Sequence, residues 1–277
     1  MTPAFPVRTP SFFDDDTPLP RHWFRNNGYL THRVSSLSLL FPRGEEFFVR
    51  AVRDALPLVT DPELRRRAQV FAAQEGQHGR AHTAHFELLR ATGVEIGLPI
   101  RKLERRAAWA EANVSIPVRV AITAAAEHVT AVLAREVLTR EELLYGIDPR
   151  VGRLLRWHAL EELEHKSVAF DVMNAIGVSY AVRASSALVA FASIIIRWNL
   201  ITNYLCQQDG LNGAALRSER LRSIASVDFS ISSLTRKCAP YFAPSFHPNQ
   251  DNDDLLIARI RPEFAAYVVN KFDRQFI

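Results

Sequence analysis

Cysteine is scarce: Cys206 and Cys238 are the only two in 277 residues. That number excludes a disulfide framework and a thiolate metal site with three or four ligands, and it favours a reducing, cytoplasmic setting. Glycine is scarce too, with 11 residues, and no stretch alternates convincingly between apolar and polar side chains as a half-buried strand would. Charge of one sign is not in large excess. Lys plus Arg number 34 against 30 Asp plus Glu, a net +4 spread along the chain, which is no footprint for nucleic acid. Long apolar runs are missing as well. The longest, Ala184 to Ile196, is bounded by Arg183 and Arg197, short of a membrane span, so it predicts a buried core helix ahead of an interfacial segment. The start, MTPAFPVRTPSFFDDD, has early prolines and acids where a secretory leader needs a basic region followed by an apolar one.

What remains is 48% hydrophobic, with 17 Phe and 4 Trp, enough for a sizeable core. Long patterns of period 3.6 predict an all-α protein: an antiparallel four-helix bundle with an N-terminal arm and extra C-terminal helices. The arm covers residues 1–40, with a short helix near Thr31 to Leu40; the core covers 41–208 and a helical extension covers 209–277. The first core helix is expected from Pro42 to just before Pro57, since proline suits a first turn and breaks an interior. Asp61-Pro62 and Asp148-Pro149 are cap signals for the second helix, to Thr92, and the fourth, to Ile176. The third is expected from Ser115 to Tyr145, a fifth from Ser179 to Gln208, and a final amphipathic one from 254 to 273.

Helices two and four each carry Glu-x-x-His: Glu75 with His78, and Glu162 with His165. Three residues of separation put carboxylate and imidazole on one helix face, within reach of the same ion or adjacent ions. Helical phase selects a glutamate on each remaining helix. Glu45 shares a stripe with Phe48, Val49, Val52 and Leu56, whereas Glu46 lies with Arg50, Arg53 and Asp54; Glu127 lies with Val120, Thr123, Ala124, Ala131 and Leu138. The stripe of helix four adds His158, giving His-x-x-x-Glu-x-x-His. Glu161 falls off that stripe, so Glu46→Ala and Glu161→Ala are both expected to leave metal binding intact. His82 and His85 continue the stripe of helix two as outer donors or channel lining, and for these two and His128 a structural role comes first. Four glutamates, two of them in Glu-x-x-His, are the arrangement of di-iron and di-manganese carboxylate bundles, and two divalent cations cancel the buried charge. Ligands without thiolate suit iron or manganese, with zinc also compatible.

Four segments carry a resemblance. They are Phe41-Pro42-Arg43-Gly44-Glu45-Glu46-Phe47-Phe48, Gln74-Glu75-Gly76-Gln77-His78, Glu127-His128-Val129-Thr130, and the run from Trp157 to Asp171, WHALEELEHKSVAFD. The sequence resembles the family called predicted metal-dependent hydrolases, within the ferritin-like superfamily. The His-x-x-x-Glu-x-x-His pattern is also similar to that of di-iron aminobenzoate N-oxygenases, which implies oxygenase chemistry with His158 as a seventh ligand. The leading expectation is a non-haem di-iron oxygenase using two iron ions, dioxygen and an external electron donor on a small or lipophilic substrate. A dinuclear hydrolase is the alternative, and a non-enzymatic ferritin-like iron-binding protein ranks last. A homodimer fits either enzyme. Membrane contact for access of a greasy substrate is not favoured, although the aromatic pairs Phe12-Phe13 and Phe47-Phe48 look exposed.

Overall fold

The computed structural model describes residues 5–14, 17–226 and 231–268. It is all-α: among the described residues there is no strand, only isolated bridges between Arg8 and Val268 and between Phe24 and Ile147. The helices are α1 (Gly28–Ala55), α2 (Pro62–Ala91), α3 (Gly97–Asn113), α4 (Ile116–Thr139), α5 (Pro149–His165), α6 (Val168–Ala175), α7 (Tyr180–Gln208), α8 (Gly213–Ser226), α9 (Ile231–Cys238) and α10 (Asp254–Ile260). Helix α1 packs on α2 and α4, and α5 with α6 closes the ring against both, so four helical positions surround one interior. Helix α7 lies outside this ring against α1 and α4.

Local chemistry sets most boundaries. Asp61 accepts from the Glu63 amide and Asp148 from the Arg150 amide, so both Asp-Pro pairs cap as their sequence predicts, and Gly93 ends α2 with a φ of 81°. Four expectations need correction. The first helix does not start at Pro42: it starts at Gly28, inside the expected arm, capped by Asn27, and Pro42 lies in its interior. Its first half hides its helicity in serines, because Ser35 and Ser36 donate back to the carbonyls of Thr31 and Arg33 instead of supplying apolar periodicity. The third helix stops at Thr139, and an additional helix, α3, precedes it. Only Pro99 of α3 is buried, so its pattern of Arg, Glu and Ala shows propensity without a core stripe. The fourth helix breaks at Lys166-Ser167 into α5 and α6, with the Lys166 ammonium drawn onto Asp253 at 2.6 Å. The last helix ends at Ile260 and continues as a 3₁₀ run to Tyr267, with Pro262 in its first turn; residues 269–273 of the expected helix lie outside the described residues.

Residues 5–14 and 17–27 are sealed onto the bundle by Phe5, Val7, Phe12, Leu19, Trp23 and Phe24, all buried. The aromatic pairs are not the exposed patches expected: Phe12 and Phe47 are both 7% exposed, and Phe13 stacks on His85. Helix α7 differs in the opposite sense. Helices α4 and α7 are both long and apolar enough to cross a membrane by length and composition, but the apolar window of α4 is 67% buried and that of α7 only 28%. Leu188, Val189, Ile196 and Leu200 of α7 face outward, so the expected buried core helix buries one face and leaves an apolar one exposed.

Candidate metal centre

All seven predicted residues meet inside the ring: Glu45 from α1, Glu75 and His78 from α2, Glu127 from α4, and His158, Glu162 and His165 from α5, each no more than 3% exposed. Their atoms sort into two adjoining clusters. In one, His78 Nδ1 lies 4.0 Å from Glu45 Oε1, 3.7 Å from Glu75 Oε2 and 3.8 Å from Glu162 Oε1, while His158 Nε2 lies 3.5 Å from Glu45 and 2.7 Å from Glu162 Oε1. In the other, His165 Nε2 lies 3.0 Å from Glu75 Oε1, 3.3 Å from Glu127 Oε2 and 3.6 Å from Glu162 Oε2. Glu75 and Glu162 therefore each offer one oxygen to each cluster, and Glu45 and Glu127 belong to one apiece.

Buried polar atoms normally find partners. Here both carboxylate oxygens of Glu45, Glu75 and Glu127, Oε2 of Glu162, Nδ1 of His78 and Nε2 of His165 make no well-formed hydrogen bond. They converge on shared space instead, which fits cations. The protonation balance agrees. Burial, with Glu75 next, drives the Glu45 carboxyl well above its usual range, and burial with Glu162 and Glu75 pushes Glu127 up to about 8. Burial acts to lower His78 and His165, but their carboxylate neighbours, led by Glu161 and Glu127 respectively, carry both well above an ordinary imidazole. Without cations, protons must take up part of the charge of four buried carboxylates.

The imidazoles are held from behind. His78 Nε2 donates to Glu161 at 3.2 Å, and Glu161 also accepts from Trp157 Nε1 at 3.0 Å and Arg8 at 2.9 Å. His165 Nδ1 donates to Gln74 Oε1 at 3.0 Å, and Gln74 Nε2 donates to the Pro6 carbonyl and to Glu164. His158 Nδ1 is 2.7 Å from His82 Nε2; His82 Nδ1 is 2.7 Å from Ser38 Oγ, which also meets His85 Nδ1 at 3.1 Å. These outer contacts orient the three rings so that Nδ1 of His78, Nε2 of His158 and Nε2 of His165 point at the centre, the arrangement of metal-ligating imidazoles. His82 and His85 lie behind the cluster as outer partners, and His128 packs away from it on Tyr241 and Phe246. Glu46 lies on the surface, paired with Arg50. Glu161 lies off the ligand stripe as its helical phase predicts, but it is fully buried and bonded to His78 from the back of the site, where the arm closes the bundle. Arg8 and Gln74 are the functional residues that helical phase did not flag, since Arg8 reaches Glu161 across 153 residues of chain.

A separate cluster joins His22, His32 and Asp209. Both imidazoles meet Asp209 Oδ2, at 2.7 and 2.5 Å, and Arg21 occupies Oδ1, so the carboxylate is already shared by the arm, α1 and the end of α7 as a structural clip.

Residues 6–252 match the family described as predicted metal-dependent hydrolase. The chain belongs to that family. No curated protein and no solved structure gives a match. In this hydrolase-family chain the match spans the arm residue Arg8 as well as all seven clustered side chains.

Proposed function

We propose that the seven residues hold two metal ions and that the chain is a metal-dependent hydrolase acting on an apolar-bodied substrate. One observation carries the dinuclear reading: Glu75 and Glu162 each turn one oxygen to each cluster, so either carboxylate could serve an ion in both positions. When bound, such a pair of ions lowers the pKa of water and polarises the bond to be cleaved. The protein's own contributions follow from its contacts. Glu161, Gln74 and His82 fix the three imidazoles by their outer nitrogens, and Arg8 neutralises Glu161 and Glu164 behind them. A cavity of about 930 Å³ is lined by Glu45 together with Phe41, Phe47 and Phe48, so a substrate seated there meets the centre across a largely apolar wall.

A second reading is oxidative: the di-iron oxygenase expected from the ligand pattern, with dioxygen and an external electron donor. His158 favours it, because a third imidazole on one cluster makes the two positions unequal, and imidazole with carboxylate and no thiolate suits iron. The ferritin-like relationship and a cytoplasmic homodimer belong to the same proposal. Loading the metal-free protein separately with zinc and with ferrous iron distinguishes the two. Cleavage of carboxylic or phosphoric esters by the zinc form supports hydrolysis. Turnover that needs ferrous iron, reductant and isotopically labelled dioxygen, with label in the product, overturns hydrolysis in favour of oxidation.

A further inference from the structure

The cavity beside Glu45 runs between α1, α3, α4 and α7. Its walls are hydrocarbon: Phe41, Leu103, Ile122, Val129 and Ile194 line it, and Glu45 is the one carboxylate among its lining residues. Its charge is placed asymmetrically. Glu45 is 2% exposed at the inner end, whereas Lys102, Arg105 and Arg106 of α3 line it from the solvent-exposed side, opposite a half-buried Arg197 on α7. Arg43, also in the lining, is satisfied by Glu111 at 2.8 Å. The others are not: among the described residues Lys102, Arg105, Arg106 and Arg197 make no ion pair, and the single bond of Arg197 is from Nε to Ser193 Oγ at 3.3 Å. Arg106 and Arg197 thus line the same cavity without a counter-charge, and burial, followed by the charge of Arg106, lowers the Arg197 guanidinium. Trp109, 63% exposed, stands on the same helix as the cationic side.

An apolar cavity that meets exposed, unpaired cations and also one deeply buried carboxylate of the candidate metal centre has a complementary ligand. We infer that the cavity binds a single-chain amphiphile whose anionic head, a carboxylate or phosphate, sits between Arg106 and Arg197 while its hydrocarbon chain extends to Glu45. Planar guanidiniums bind such heads through paired charge-assisted hydrogen bonds. The reacting bond is then remote from the head, at the chain end that reaches the centre; this last step rests on the metal reading above, whereas the binding itself does not. The exposed apolar side chains of α7, Val189 among the lining, give the chain a greasy approach.

The test uses the full chain, both metal-free and metal-loaded, titrated with decanoate, decyl phosphate and 1-decanol below their aggregation concentrations and followed by calorimetry and Trp fluorescence. Expected is saturable binding of decanoate or decyl phosphate in both metal states, with a blue shift that disappears in Trp109→Phe; the tighter of the two identifies the head. The double variant Arg106→Gln/Arg197→Gln should weaken the anionic ligand about tenfold, equivalent to about 1.4 kcal/mol, and leave decanol within about twofold. Ala107→Trp, which fills the cavity from the outer helix, should abolish binding of all three. Decanol binding as tightly as decanoate, or anion binding unchanged in the double variant, overturns head recognition. Binding to phosphatidylglycerol vesicles with none to monomeric decanoate also overturns the inference and makes the α7 face a membrane contact. Intact amphiphile binding in a protein that takes up no metal refutes the metal reading alone.

Discussion

Replacing Glu161 should damage the metal centre although Glu161 touches no shared cation position. Its carboxylate is fully buried and serves Arg8, Trp157 Nε1 and His78 Nε2 at once. In Glu161→Ala the indole N–H and the outer imidazole nitrogen lose their acceptor in a dry interior. Arg8 keeps Glu164 at 2.9 and 3.0 Å, so its charge is not stranded. The loss of folding stability therefore falls near the lower end of the range for breaking a buried pair, about 3 kcal/mol. Glu161→Gln keeps an acceptor for the indole but removes the charge that polarises His78, and should lose about 1 kcal/mol. Metal affinity should drop about 10- to 100-fold in both variants, as for other partners standing behind a ligating histidine. Urea unfolding of the metal-free proteins gives the first quantity, and competition with a chromophoric chelator gives the second. If Glu161→Gln binds metal within twofold of wild type, the claim that this carboxylate sets the His78 donor is refuted.

Burial pushes His85 and His128 down to about 4, from an ordinary imidazole near 6.5. Because the folded state resists protonation, their contribution is complete above pH 6.5 and declines as pH falls toward 4, by about 2 kcal/mol per group at pH 5. Urea midpoints at pH 7 and pH 5 should show this, with a shallower decline in His85→Gln; equal declines in the two proteins would contradict it. Glu127, at about 8, must shed a proton to take a cation, so metal affinity should rise with pH up to about 8 and binding should release protons below that. A weakly buffered metal titration at pH 6.5 that releases none would speak against Glu127 as a ligand. Glu46→Ala should change stability by less than about 0.5 kcal/mol and leave metal content unaltered, since its exposed pairing with Arg50 is a surface interaction.

The parts of this fold that were legible in the sequence are those governed by local spacing. Asp-Pro caps, the Glu-x-x-His offsets and the apolar stripes around Glu45 and Glu127 involve residues within a turn or two of each other, and the structure brings all seven together. What was not legible depends on long-range closure. Helical phase separates Glu161 from Glu162 but does not say that both sides of α5 are enclosed; the second enclosure comes from Arg8 in an arm without periodicity. The start of α1 was hidden because Ser35, Ser36 and Ser38 bury hydroxyls where a pattern search looks for hydrocarbon, and Ser38 does so to bond His82 and His85. Helix α3 went unseen for the opposite reason, having almost no buried face. The exposed side of α7 is invisible in composition, because Leu188 and Val189 read as core until neighbours fail to cover them.

The central claim, that two cations share the carboxylates of Glu75 and Glu162, is tested most directly by counting metal. Elemental analysis of the purified chain, alongside Glu75→Ala and Glu162→Ala, measures it. The account predicts about two ions per wild-type chain and loss of both ions in each variant, because a bridging carboxylate serves both positions and two divalent charges are needed to balance four glutamates. One ion or none in wild type after reconstitution, or two ions retained when either bridging glutamate is removed, would contradict it.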